Sequence, residues 1–116
     1  MSDATPVPHE AAAQTFARQA REAFGDDVER IVLYGSVARG EMRGVNSDVD
    51  LIVVIQDHAN LPEMEDRIRQ LAYDIELEQG VVLSLIILSS REFTQESDRP
   101  FFHHVQRDGR TLYGST

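Results

Sequence analysis

The sequence predicts a small single α/β domain, with helices packed around a three- or four-stranded sheet. Three observations predict it. Apolar runs at Ile31–Tyr34, Leu51–Ile55 and Val81–Leu88 have the length of strands. Stretches with apolar residues at helical spacing stand before, between and after them. Glycine or a polar cluster punctuates each change of pattern. The chain has 116 residues, 41% of them hydrophobic. That suits one domain with one core.

Residues 1–8 read as a disordered leader, with Pro6 and Pro8 close together, and residues 9–116 as the domain. His9 to Phe24 is a helix whose Ala13, Phe16, Ala17, Ala20 and Phe24 share one face, stopped by Gly25 and Asp26. Val28–Tyr34 is a buried strand. Gly35-Ser36 turns directly off its end, and Ser36 caps a short helix through Arg39 that Gly40 closes. Glu41–Ser47 is loop and Asp48–Ile55 a second strand. Leu61–Gln79 is a long amphipathic helix ended by Gly80. Val81–Leu88, apolar except for Ser84, reads as a central strand covered on both faces. Ser89-Ser90 with Glu92 opens a further helix. Pro100–Asp108 forms the last helix, and Arg110–Tyr113 a short edge strand.

Composition excludes several classes. There is no cysteine, so disulfide scaffolds and thiolate sites are out. The longest apolar run, Val81–Leu88, is far short of the ~18–20 residues that span a bilayer. The polar N-terminus shows no signal-peptide pattern. A soluble, cytoplasmic protein without membrane association is the expectation. Net charge −9 and pI about 4.7 argue against gripping nucleic acid by general electrostatics. A small anion held at one site with a metal remains compatible.

The chemistry lies in Gly35–Glu41 and Ser47–Leu51. Asp48 and Asp50 are two apart in a strand, so both side chains emerge on one face. Two like charges there repel. A divalent cation removes that cost, and hard oxygen ligands suit Mg²⁺ or Mn²⁺. Alone, such a pair is usually a solvated strand entrance. The Gly35-Ser36 turn exposes backbone N–H groups at a helix start, where phosphate oxygens bind, and Arg39 adds a forked cation. Alone, it is usually an ordinary capped turn. Neither a P-loop nor a Gly-x-Gly-x-x-Gly occurs. Together, a phosphate turn ending one strand and a metal pair opening the next are what metal-assisted nucleotidyl transfer requires.

Gly35-Ser36, eleven intervening residues and Asp48-Val49-Asp50 resemble the signature of the DNA-polymerase-beta-like nucleotidyltransferase superfamily. The fuller strings Tyr34–Glu41 and Ser47–Leu51 resemble its minimal nucleotidyltransferase (MNT) branch, and the likeness runs over roughly residues 10–114. It implies a small mixed sheet flanked by helices, the polymerase-beta-like palm fold. It implies that Gly35 and Ser36 contact the triphosphate of ATP or another nucleoside triphosphate, with Arg39 as a phosphate partner. It implies that Asp48 and Asp50 are the catalytic, metal-holding pair. The family's third carboxylate would fall in Val81–Leu85, where the only polar residue is Ser84. Glu76 or Glu78, near the end of the preceding helix, offers a through-space substitute, although such residues more often belong to a helix's solvated polar face.

The implied activity is transfer of a nucleoside monophosphate, most simply AMP, to a hydroxyl acceptor with release of pyrophosphate. The implied setting is an MNT antitoxin beside a helical HEPN-type toxin, with a tyrosine of the partner as acceptor. The chain is therefore expected in a hetero-complex or a homo-oligomer. The second expectation is a catalytically weak nucleotide-binding regulator, favoured by Ser84. A third, transfer to a small hydroxylated molecule such as an aminoglycoside, ranks last because no second domain shapes a pocket. His103 and His104 are adjacent and make a poor chelate, one expected partly buried and one exposed. His58 reads as loop. Phe101 and Phe102 read as core, and Tyr34 and Tyr73 as core-edge aromatics. The acidic face of the long helix reads as solvated, or as a docking face for a basic partner.

Overall fold

The computed structural model describes residues 8–38, 48–57 and 59–114. Most of the leader, Arg39, Gly40, the loop at Glu41–Ser47 and His58 lie outside the described residues, as does the side chain of Ser36. The elements run α1 (Pro8–Phe24), β1 (Val28–Tyr34), α2 (Gly35–Ala38), β2 (Val49–Ile55), α3 (Leu61–Gln79), β3 (Leu83–Ser89), α4 (Ser90–Glu96), α5 (Pro100–Asp108) and β4 (Arg110–Tyr113), with a 3₁₀ turn at Gly25–Asp27. Pro8, expected in the leader, instead opens α1, where its missing N–H costs nothing.

The sheet is mixed, in the order β3-β2-β1-β4. β1 pairs antiparallel with both β2 and β4, and β2 pairs parallel with β3 across the α3 crossover. The alternation of β2 fixes what each face meets. Val49, Leu51, Val53 and Ile55 join Phe16 and Ala20 of α1 and Met64, Ile68 and Ile75 of α3 in the main core. Ile52 and Val54 face the other way, against Val32, Phe102 and Val105, with Ile86, Leu88 and Phe93 at the margin. Each fully buried large aliphatic or aromatic side chain contributes about 1.5–3 kcal/mol. α4 and α5 thus add a partial third layer on the second face of the sheet.

Local chemistry sets the helix ends. The Asn60 side chain accepts a hydrogen bond from the Glu63 N–H at the start of α3, and Gly80 ends that helix in the left-handed region. Ser89 and Glu92 form a reciprocal capping box on α4. One sequence expectation fails: β3 is an edge strand, not a central one, and residues 84–89 are only half-buried. Its apolar run reflects helices above and below it, not a strand on each side. No helix among the described residues is long and apolar enough to cross a membrane.

Candidate functional site

Three strands bring a polar row to one end of the sheet. Tyr34 at the end of β1 sits opposite Asp50 of β2, and Asp50 sits beside Ser84 of β3. All three share the sheet face of Ile52, Val54 and Ile86. Asp48 immediately precedes the strand and has the same parity. Val49 between the two aspartates is fully buried among the α1 and α3 side chains. A one-residue slip would expose it, so the core holds the Asp50 carboxylate on the opposite face. Asp48 is exposed and Asp50 half-buried.

Gly35 joins the turn to the carboxylates. Its φ of +79° lies where a β-carbon is penalised. A β-carbon there would also fall on the Asp50 Oδ2, and would stand 3.2 Å from Asp50 Cγ. Glycine therefore lets the turn backbone rest directly against the Asp50 carboxylate. Val37, buried in the main core, anchors α2 behind it. Ser36 belongs to that helix by its backbone.

Tyr34 registers the same crowding electrically. Burial of its ring, followed by the negative charge of Asp50, pushes the phenol up to about 12. It is protonated at any physiological pH, a neutral donor at the edge of the site.

α5 forms a wall beside this row. Gly109 allows its last turn to close on β1: a β-carbon there would meet the Val105 carbonyl at 2.5 Å and Val32 Cγ1 at 2.9 Å. Between α5 and the Gly35 turn lies a cavity of about 200 Å³, lined by Tyr34, Gly35, Phe101, His104, Val105 and Asp108. A larger hollow of about 360 Å³ lies between α1 and β4, and none of the polar row lines it. Phe101 is 43% exposed rather than core, whereas Phe102 is buried as expected. The signal was in the spacing: Phe102 and Val105 define the buried stripe, which leaves Phe101 and His104 on the next face. Tyr34 is half-buried as a core-edge aromatic should be, but Tyr73 is 54% exposed. His103 and His104 are both exposed, so neither is the partly buried one expected.

Ser84 is the register partner of Asp50. Glu76 is committed elsewhere: its Oε2 accepts the Leu83 N–H at 2.8 Å, fixing the start of β3. Glu78 is exposed on α3. Among the described residues, no group of three His, Cys, Asp or Glu side chains is placed to hold a metal. The pair Asp48 and Asp50 fits a hard divalent cation that takes its remaining ligands from phosphate and water.

The family model described as "Nucleotidyltransferase domain" matches residues 14–105. Two proteins of Methanocaldococcus jannaschii are similar. The one named "Putative protein adenylyltransferase MJ1305" is 31% identical over 102 residues, covering 84% of this chain and 67% of that protein. The one named "Putative protein adenylyltransferase MJ0604" is 28% identical over 104 residues, covering 90% and 97%. Among solved structures, a toxin–antitoxin with AMP-PNP matches with a TM-score of 0.59 at 19% identity, covering 89% of this chain and 74% of that one. A nucleotidyltransferase structure from Sulfolobus solfataricus matches at 0.57 and 15%, covering 97% and 93%. At these identities the structures speak for the fold.

Proposed function

Since the chain belongs to the nucleotidyltransferase domain family, we propose that it transfers AMP from ATP to a hydroxyl on a partner protein, in the manner of an MNT antitoxin. The observation that carries this reading is the contact between Gly35 and the Asp50 carboxylate. It joins the phosphate turn and the acidic pair in one site. The two relatives named protein adenylyltransferase support the reaction type. The toxin–antitoxin structures of the same fold support the setting; a helical toxin as the source of the acceptor is what the family resemblance implies.

In this reading the backbone at Gly35 and Ser36 receives the β- and γ-phosphates, and Arg39 offsets their charge. Asp48 and Asp50 hold the cation, Mg²⁺ or Mn²⁺, which when bound neutralises phosphate charge and polarises the α-phosphate. The acceptor oxygen bonds to the α-phosphorus, the bond from that phosphorus to the bridging oxygen breaks, and pyrophosphate leaves. The hydroxyl proton passes to solvent. Tyr34, neutral and half-buried, borders Asp50 without adding charge.

The second reading, a nucleotide-binding regulator without turnover, is favoured by Ser84. A serine beside Asp50 cannot hold a cation as a carboxylate does, nor take a proton at neutral pH. Calorimetric titration of Mg²⁺–ATP into the wild type and the Asp48→Asn/Asp50→Asn double variant, with pyrophosphate followed in the same samples, separates the two. Binding lost in the double variant together with pyrophosphate release supports the enzyme. Binding without release, even with the partner present, supports the regulator. No metal-dependent binding to the wild type overturns the site.

A further inference from the structure

The cavity between α5 and the Gly35 turn adds four α5 residues, Phe101, His104, Val105 and Asp108, to which the family resemblance assigns no role. Its placement, lining and size point to one kind of occupant. It shares Tyr34 and Gly35 with the polar row, so it opens where the polyphosphate would lie. At about 200 Å³ it is smaller than the ~300–1,000 Å³ typical of pockets for whole drug-sized ligands. It has room for one ring system, not for a nucleotide. Phe101 stands at its mouth. That ring meets Tyr34 edge to face at 5.5 Å and Phe102 at 5.0 Å, which fixes its orientation. Yet it leaves 43% of its surface in water, on a helix whose buried stripe is already supplied by Phe102 and Val105. The wall also carries polar groups. Arg107 donates to His104 Nδ1 at 2.9 Å, which leaves the neutral imidazole with its proton on Nε2. Asp108 is a half-buried acceptor whose Oδ1 lies 3.7 Å from Arg107 Nε, leaving Oδ2 to a ligand. An aromatic platform flanked by one donor and one acceptor suits a planar heterocycle with both groups on its edge.

We propose that this cavity seats the nucleobase of the triphosphate, with Phe101 as its stacking partner. The inference rests on the nucleotidyl-transfer reading above. An aromatic ring of the acceptor has the same flat apolar chemistry, but the topology assigns the cavity to the nucleotide. Asp50 lies between β1 and β3. With the β- and γ-phosphates at the end of β1, in-line attack on the α-phosphorus comes from the side opposite the leaving pyrophosphate. That is the β3 side, where Ser84 lies. The cavity is on the β1 side, away from the incoming hydroxyl.

The test compares Mg²⁺–ATP with Mg²⁺–tripolyphosphate, which carries the charges and lacks the base. Each is titrated into the wild type, Phe101→Ala, Phe101→Tyr and Asp50→Asn, with thermal melting as the folding control. Phe101→Ala should weaken ATP by about tenfold, the order expected for losing one base–aromatic stack. It should leave tripolyphosphate unchanged. Phe101→Tyr should restore ATP binding, and Asp50→Asn should weaken both ligands. A 2-aminopurine riboside triphosphate should lose fluorescence on binding the wild type and not on binding Phe101→Ala. Equal ATP affinity in wild type and Phe101→Ala, with both ligands still dependent on Asp50, overturns this inference and leaves the proposed function standing. Binding of N-acetyltyrosinamide that depends on Phe101, with ATP indifferent to it, gives the cavity to the acceptor and also overturns it. If neither polyphosphate binds the wild type, the site assignment fails and this inference with it.

Discussion

Replacing Gly35 with alanine tests the geometry on which the site depends, and its cost follows from two separate effects. The first is conformational: at φ +79° an L-residue carries a penalty of about 1–2 kcal/mol. The second is contact. The new methyl would occupy the space of the Asp50 Oδ2, so that carboxylate must rotate away from its preferred conformation. Such a rotation costs roughly 0.5–1.5 kcal/mol. Together they give about 1.5–3.5 kcal/mol. Unfolding entropy scales as about 2.1 cal/mol/K per residue, so 116 residues give roughly 0.24 kcal/mol/K. The melting temperature should fall by about 6–14 °C. The assay is thermal unfolding of Gly35→Ala, Asp50→Ala and the double variant. In the Asp50→Ala background only the conformational part should remain, so alanine at 35 should cost about 1–2 kcal/mol there. The difference between backgrounds measures the contact. If alanine at 35 costs the same with or without Asp50, the turn does not press on the carboxylate and the carrying observation is wrong. Mg²⁺–ATP titration of Gly35→Ala should show weakened binding, since the displaced carboxylate no longer faces the turn.

The Tyr34 phenol should ionise above the ordinary value of 10, at about 12, as followed by ultraviolet phenolate titration. Its folded value is raised above the ordinary 10, so the stability it contributes is complete below about pH 10 and is lost as pH rises toward 12. Asp50→Asn should lower the Tyr34 value while leaving it above the ordinary one, because burial is the larger cause; a Tyr34 phenol that titrates at 10 would contradict this. Ser84→Asp should place a third carboxylate beside Asp50. Without cation it should destabilise by up to about 1 kcal/mol, as like charges on neighbouring strands do. With Mg²⁺ it should gain cation affinity and turnover, and unchanged affinity would mean Ser84 does not border the site. Glu76→Ala should leave the buried Leu83 N–H without its acceptor, lowering stability by roughly 1–3 kcal/mol in a thermal melt. Mg²⁺–ATP affinity should be untouched, and a loss there would place Glu76 among the ligands.

The positions of the helices and of β1, β2 and β4 could be read from the sequence because each rests on a local rule. Asn60, Gly80 and the Ser89–Glu92 pair mark helix ends through their own backbone neighbours. The face on which Asp50 emerges was readable because alternation in a strand is local too, whereas Asp48, expected inside that strand, stands one residue before it. The neighbour relations of β3 were not. An apolar run reports what covers a strand above and below, and Leu85 and Ile87 meet the main core while Ile86 and Leu88 meet the smaller one. It says nothing about whether a strand lies on each side. Glu76 escaped for a similar reason. Its partner is the backbone of Leu83, seven residues on, and no side-chain pattern announces a carboxylate bound to a main-chain N–H. The Gly35 contact with Asp50 joins two segments whose spacing suggested a relation but not its closeness.

The sheet order also separates the protein in time. β1, β2 and β3 are neighbours in the sheet and in the chain, so Tyr34, Asp50 and Ser84 all belong to a segment closed by residue 89. The wall of α5 and the β4 strand that pins it to β1 come afterwards. As the chain leaves the ribosome, the charged half of the site is specified before the apolar half exists. Sequence change in the last quarter of the chain can therefore reshape what the cavity accepts while the row that faces the phosphates keeps its own framework.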